Sequence, residues 1–168
     1  MKELSLTHIM LTLFSAISLM TGNALAVDGV MEINQARAIS GDKYLSDPPG
    51  FPVTINYPGS YILTSNLDVP KGTNGIVIKT SKVKVDLNGF VIAGQGGTSG
   101  RGITSMETGS GLHDNIKICN GIVANMAEEG VFVGSYSHIE NMEVYDNEGH
   151  GISVYKSSTI INSKAYGN

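Results

Sequence analysis

The chain is short of several things that folded domains commonly rely on. It has a single cysteine, Cys119, so no intrachain disulfide can staple it. Lying beside Ile118 in a strand-like stretch, that thiol is expected to be buried and inert. Net charge is −4, which provides no basic face for nucleic acid. No apolar run is long enough to read as a membrane span, because Ile9–Met20 is short and interrupted by Thr12, Ser15 and Ser18. Leucines are few beyond residue 26, and no stretch in the second half carries a helix period long enough for a crossover helix.

The short apolar run has a meaning of its own. Lys2 precedes it and Ala24-Leu25-Ala26 follows it, the pattern of an export signal cleaved after Ala26. The expected product is secreted, periplasmic or displayed at the cell surface, with no membrane attachment after cleavage. Lys2 and Glu3 leave together, so the charge is unchanged.

What is present in abundance is repetition. Aligning Gly130–Asn147 with Gly151–Asn168 gives identities at Gly130/Gly151, Val133/Val154, Ser137/Ser158 and Ile139/Ile160, and again at Asn141/Asn162, Tyr145/Tyr166 and Asn147/Asn168. A fixed period of 21 residues means one supersecondary unit stacked on copies of itself. The period continues backwards through Ile118 and Asn120. It also reaches Gly102-Ile103-Thr104-Ser105 and Gly75-Ile76-Val77-Ile78 if insertions lie in Glu107–Asp114 and Gly94–Gly100. About four units are countable this way.

Within a unit, Val83-Lys84-Val85-Asp86-Leu87, Met142-Glu143-Val144-Tyr145 and Gly151-Ile152-Ser153-Val154 alternate in polarity as half-buried strands do. With no crossover helix, each coil must close through strands and turns, pairing parallel with its neighbours at about 4.8 Å. Strand twist favours a right-handed crossover. The fold class is therefore all-β, a right-handed parallel β-helix. Ile139, Met142, Val144 and Asn147 also match leucine-rich-repeat spacing, but the scarcity of leucine and the strand-like opposite half-repeat weigh against that fold. One Asn per coil (Asn88, Asn120, Asn141, Asn162) is expected at a turn in left-handed conformation, pointing inward and bonding the next Asn.

Three segments follow. Residues 1–26 form the signal, 27–74 an N-terminal cap and first strands, and 75–168 the coils. In the cap, Val30–Ile39 has the spacing of a short amphipathic helix, and Pro58-Gly59 separates two alternating stretches. The repeat runs to Asn168 with no closing segment. Further coils beyond that residue are expected, or end-to-end self-association at the open edge.

These coils, and Val85-Asp86-Leu87-Asn88-Gly89-Phe90-Val91-Ile92-Ala93-Gly94 in particular, resemble secreted bacterial right-handed parallel β-helix proteins of the pectin-lyase-like superfamily. The likeness covers about Val53 to Asn168. It implies an exported protein that engages polysaccharide or cell-surface glycan, either as a polysaccharide lyase or glycoside hydrolase or as a non-catalytic adhesin or binding module. Gly149-His150-Gly151-Ile152-Ser153 is similar to the Gly-His-Gly motif of polygalacturonases, and Glu128-Glu129 falls one coil earlier, where their paired aspartates lie. By that resemblance Glu128 or Glu129 is a general acid or base and His150 supports it. The acids here are Glu rather than Asp, and Tyr155-Lys156 stands where Gly-Ser belongs.

The residues also speak for themselves. Asn74, Arg101, Glu129 and His150 each precede a repeat glycine, so they should stack in one column, with a carboxylate between a cation and a titratable base. Arg101 is a candidate substrate contact. Tyr145 and Tyr166 should stack outward, either docking sugar rings or bracing the coils. Lys79, Lys82 and Lys84 form a basic patch. Glu143 aligns with Lys164 as a cross-strand ion pair. Glu143, Asp146 and Glu148 are grouped, and Ca²⁺ is the ion oxygen ligands of that kind would take, but no matching acids recur one coil on and no metal ligands or other cofactor are assigned.

Overall fold

The computed structural model describes residues 29–43, 46–107 and 111–168. The expected export segment lies outside them. The described chain is a parallel β-solenoid of five three-sided coils. Face A contains β2 (Val53–Ile55), β5 (Ile76–Ile78), β8 (Ile103–Thr104), β12 (Val131–Val133) and β14 (Ile152–Val154). Faces B and C form one bent nine-stranded sheet. Face B holds β1 (Val30–Ile33), β3 (Gly59–Leu63), β6 (Val83–Asp86), the first halves of β11 (Ile116–Ala124) and β13 (His138–Tyr145), and β15 (Thr159–Ile161). Face C holds β4 (Leu67–Val69), β7 (Val91–Gly94), the second halves of β11 and β13, and β16 (Lys164–Tyr166). A small antiparallel hairpin, β9 (Met106–Glu107) with β10 (Gly111–Leu112), occupies the insertion placed at Glu107–Asp114.

The register is the one the repeat implies. Val131 pairs with Ile152, 21 residues on, and with Ile103, 28 residues back, while Ile76 pairs with Ile103. Five coils stack rather than about four. Val53–Val69, assigned to the cap and first strands, supplies a complete coil whose sequence lacks the Gly and Asn markers of later ones.

Alternation drives the packing. Val131, Val133, Ile118, Ile139 and Val144 are fully buried, and Ile152 and Val154 pack against the same core in the last coil. Each such side chain removed from water contributes about 1.5–3 kcal/mol. The repeat glycine has a packing cause. A Cβ on Gly75 would lie 2.5 Å from the carbonyl of Gly102, and one on Gly102 would collide with the carbonyl of Gly130 and with Val123. The corner between faces C and A brings backbones too close for a side chain there.

Turning at the corners follows a rule of its own. In the third, fourth and fifth coils a left-handed residue recurs every five positions: Asn115, Asn120, Asn125; Tyr136, Asn141, Asp146; Ser157, Asn162, Gly167. Each triad marks the three corners of one coil. Asn and Gly tolerate this conformation, whereas Tyr136 and Ser157 bear a cost of about 1–2 kcal/mol.

Two expectations are corrected. Asn88, Asn120, Asn141 and Asn162 are indeed left-handed, and Asn141 Nδ2 donates to Asn120 Oδ1 at 3.1 Å, but these side chains are exposed rather than inward. The buried asparagine lies at the other end of face C, at Asn147, which is bonded to the exposed Asn168 of the last coil. The cap is also not a helix throughout. Val30–Ile33 is a strand paired in parallel with Ser60–Leu63, and the helix α1 spans only Gln35–Ser40, capped by Asn34 Oδ1 accepting from Arg37 N. Cross-strand pairing decides a four-residue segment that local spacing leaves ambiguous.

Candidate functional site

The column before the repeat glycine exists. Gly75 N donates to Arg101 O, Gly102 N to Glu129 O and Gly130 N to His150 O, at 2.8, 3.2 and 3.0 Å, so these positions rise coil by coil. Arg101 is its centre. Its Nε lies 2.6 Å from Glu129 Oε2, its Nη1 lies 3.4 Å from Glu128 Oε2, and its backbone N–H donates to Asn74 Oδ1 at 2.7 Å. Its guanidinium also sits 5.0 Å from the Phe132 ring centroid, and Phe132 meets Tyr155 edge to face. Glu128 Oε2 further accepts the Gly100 N–H. Both candidate acids are thus engaged by one cation, which links three successive coils. His150 is exposed and forms no hydrogen bond or ion pair with either glutamate, so the predicted trio reduces to an arginine holding two carboxylates. A shallow groove of about 320 Å³ adjoins it, with Asn74, Ser99, Arg101 and Glu128 among its walls.

The second candidate group is on face C. In-register pairing places Ala93, Ala124, Tyr145 and Tyr166 in one outward column. The two tyrosine rings stack at 5.3 Å between centroids and 12° between planes, forming a ridge along the coil axis. Tyr166 OH donates to Glu143 Oε1 at 2.7 Å. That bond to a carboxylate favours the neutral phenol and pushes its pKa up to about 12. Glu143 is therefore turned to Tyr166, and the ion pair expected between Glu143 and Lys164 does not form even though the two pair in register.

A groove lies on each side of the ridge. One, about 370 Å³, is walled by Asn141, Asn162, Glu143 and Lys164 over a floor that includes Gly121 and Met142. The other, about 360 Å³, lies at the next corner and is walled by Gln95, Asn125, Asp146 and Glu148. Of these walls, the sequence had singled out Asn141, Asn162, Glu143, Lys164, Asp146 and Glu148. It offered no signal for Gln95, which is brought in by an insertion loop. Asn125 was findable as the third member of the five-residue spacing Asn115, Asn120, Asn125.

Face B carries a separate charge ladder. Lys84 pairs with Asp86 at 3.3 Å, and Glu140 Oε2 receives both Lys117 Nζ at 2.8 Å and His138 Nε2 at 3.3 Å. The hydrogen bond between Lys117 and Glu140 raises the lysine pKa and lowers that of the carboxyl. Cys119 pairs in register with Asp86 and Glu140 in this column at 3% exposure, and burial raises its thiol pKa, as an inert cysteine requires.

Among the described residues no three His, Cys, Asp or Glu side chains come close enough together to hold a metal ion. Nor does any described helix have the length and apolar character to cross a membrane. No protein-family model, curated protein or solved structure matches the chain.

Proposed function

We propose that this protein is an exported β-solenoid that engages polysaccharide through face C. The export half of this reading stands on Lys2, the short apolar run and Ala24-Leu25-Ala26. The carrying observation for the binding half is the stacked Tyr145/Tyr166 ridge between two open, polar-walled grooves. Aromatic surface takes the apolar faces of sugar rings, and amides and carboxylates take their hydroxyls. A rigid coil stack fixes the backbone beneath these groups, which lowers the ordering cost of binding. The sequence likeness to the pectin-lyase-like superfamily agrees with a side-face glycan site.

The catalytic reading of Glu128, Glu129 and His150 has weaker support. General acid–base work needs a carboxyl free to exchange protons with substrate, and here both acids are engaged by Arg101, while His150 stands apart. Binding is the function the geometry favours.

Affinity electrophoresis of the full chain through gels containing a panel of polysaccharides tests this. Retardation by at least one polymer, lost in a Tyr145→Ala/Tyr166→Ala double variant that still shows the wild-type circular dichroism spectrum, is the expected result. Mobility unchanged in every polymer would sink the reading. Reducing ends or unsaturated products released from the same panel, with or without Ca²⁺, would move the protein into the enzyme class.

A further inference from the structure

We infer that the glycan bound at the tyrosine ridge is uncharged, a neutral hydroxyl-rich polysaccharide rather than a polyuronate. The inference rests on the polysaccharide reading above and adds the chemical class of the ligand.

Grooves of different charge stand on either side of Tyr145 and Tyr166. Each groove has two carboxamide walls, Asn141 and Asn162 in one, Gln95 and Asn125 in the other. A carboxamide donates and accepts at once, which suits the hydroxyls of a neutral sugar and is indifferent to its charge. The charged walls are unevenly distributed. The corner groove holds Asp146 and Glu148, both exposed and without an ion-pair partner among the described residues, and no cation lines it. The other groove holds Glu143, which accepts the Tyr166 hydroxyl, and Lys164, so its formal charges sum to zero without an ion pair. Arg101, before the repeat glycine, is already engaged by Glu128 and Glu129. A chain crossing the ridge thus meets two unpaired carboxylates on one side and, on the other, one carboxylate and one ammonium whose charges offset.

A uronate residue every few ångströms along such a chain would place like charge beside Asp146 and Glu148 within a Debye length, which is repulsive at physiological salt. A neutral sugar suffers no such repulsion and finds in the same carboxylates acceptors for pairs of hydroxyl donors. A cationic amino-sugar polymer would be drawn to the corner groove, but it would then have to pass Lys164, and its affinity would fall steeply with salt.

The test uses the full chain in affinity gels containing neutral glucans, mannans or xylans, polygalacturonate, or chitosan, each at low and raised salt. The expected result is retardation by a neutral polymer, insensitive to salt, with none by polygalacturonate. Tyr145→Ala should weaken the neutral interaction about tenfold, the loss of one good aromatic contact. Asp146→Asn with Glu148→Gln, both at exposed positions, should allow polygalacturonate to retard the protein. If wild type is retarded by polygalacturonate as strongly as by any neutral polymer, or by chitosan in a salt-sensitive way, the neutral assignment is overturned while the ridge remains a glycan site. If the acid-to-amide variant still excludes polygalacturonate, the charge argument is overturned. If no polymer retards the protein, the polysaccharide reading falls with it.

Discussion

Asn168 Oδ1 accepts both the backbone N–H and the side-chain Nδ2 of Asn147, at 3.2 and 2.7 Å, tying the fifth coil to the fourth at the corner where face C ends. Asn147 repeats the bond upward, its Oδ1 accepting Met126 N at 3.0 Å. Asn147 is 3% exposed, so its bond to Met126 lies where water cannot replace it, while Asn168 in the last coil is exposed. The ladder satisfies backbone donors that the turn leaves without a strand partner.

Asn147→Ala should therefore cost about 2–3 kcal/mol in urea unfolding, because the buried Met126 N–H loses its acceptor. The exposed ladder behaves differently. Asn141→Ala should cost about 1 kcal/mol, mainly for an alanine held in left-handed conformation, and Asn141→Gly should be near neutral. Equal losses for Asn147→Ala and Asn141→Ala would contradict the assignment of inward and outward ladders.

Tyr136 occupies a left-handed corner with φ of 56° and an exposed ring. Replacing it with glycine relieves about 1–2 kcal/mol of backbone strain and adds about 0.5–1 kcal/mol of unfolded-state entropy. Tyr136→Gly should come out slightly more stable than wild type by thermal unfolding. A clear drop in Tm would show that the ring makes a contact outweighing its strain.

Arg101 links three coils through Asn74, Glu128 and Glu129. Arg101→Ala should destabilise by about 1–3 kcal/mol, since it leaves the part-buried Glu129 without its donor. Arg101→Lys should recover little of this, because an ammonium cannot hold two carboxylates in the guanidinium's fork. Full rescue by lysine would mean that charge alone, not geometry, carries the link.

The Tyr166–Glu143 bond makes a pH prediction. A phenol raised to about 12 in the folded state favours the native protein below the ordinary tyrosine value of 10.0, and that contribution is lost as pH rises through about 12. Ultraviolet titration of wild type minus Tyr166→Phe should isolate one phenol ionising near the upper value. Glu143→Ala should return it toward the ordinary one. A Tyr166 signal that is unmoved by Glu143→Ala would rule out the bond as the cause.

Most of the solenoid could be read from residue order because stacking is a one-dimensional problem. Residues 21 apart must pair once coils close, so Val131 with Ile152 and Tyr145 with Tyr166 follow from identity of spacing. Position before the repeat glycine, followed across the two insertions, places Asn74, Arg101 and Glu129 together. Spacing fails where two columns share one period. Asn141/Asn162 and Asn147/Asn168 recur equally, and only the direction of the backbone at each corner tells which amide faces the core. It fails again at Val30–Ile33, where pairing with a strand thirty residues away overrides a helix-like spacing.

What residue order determined by itself was the period, the alternation of apolar positions and hence a parallel stack, since these depend only on intervals along the chain. The tertiary structure decided which side chains close on which: that Arg101 holds both glutamates while His150 stands apart, that Glu143 turns to Tyr166 and leaves Lys164 aside, and that two amide-walled grooves flank the ridge. Those outcomes depend on side-chain reach and corner curvature in three dimensions, which intervals along a chain do not encode.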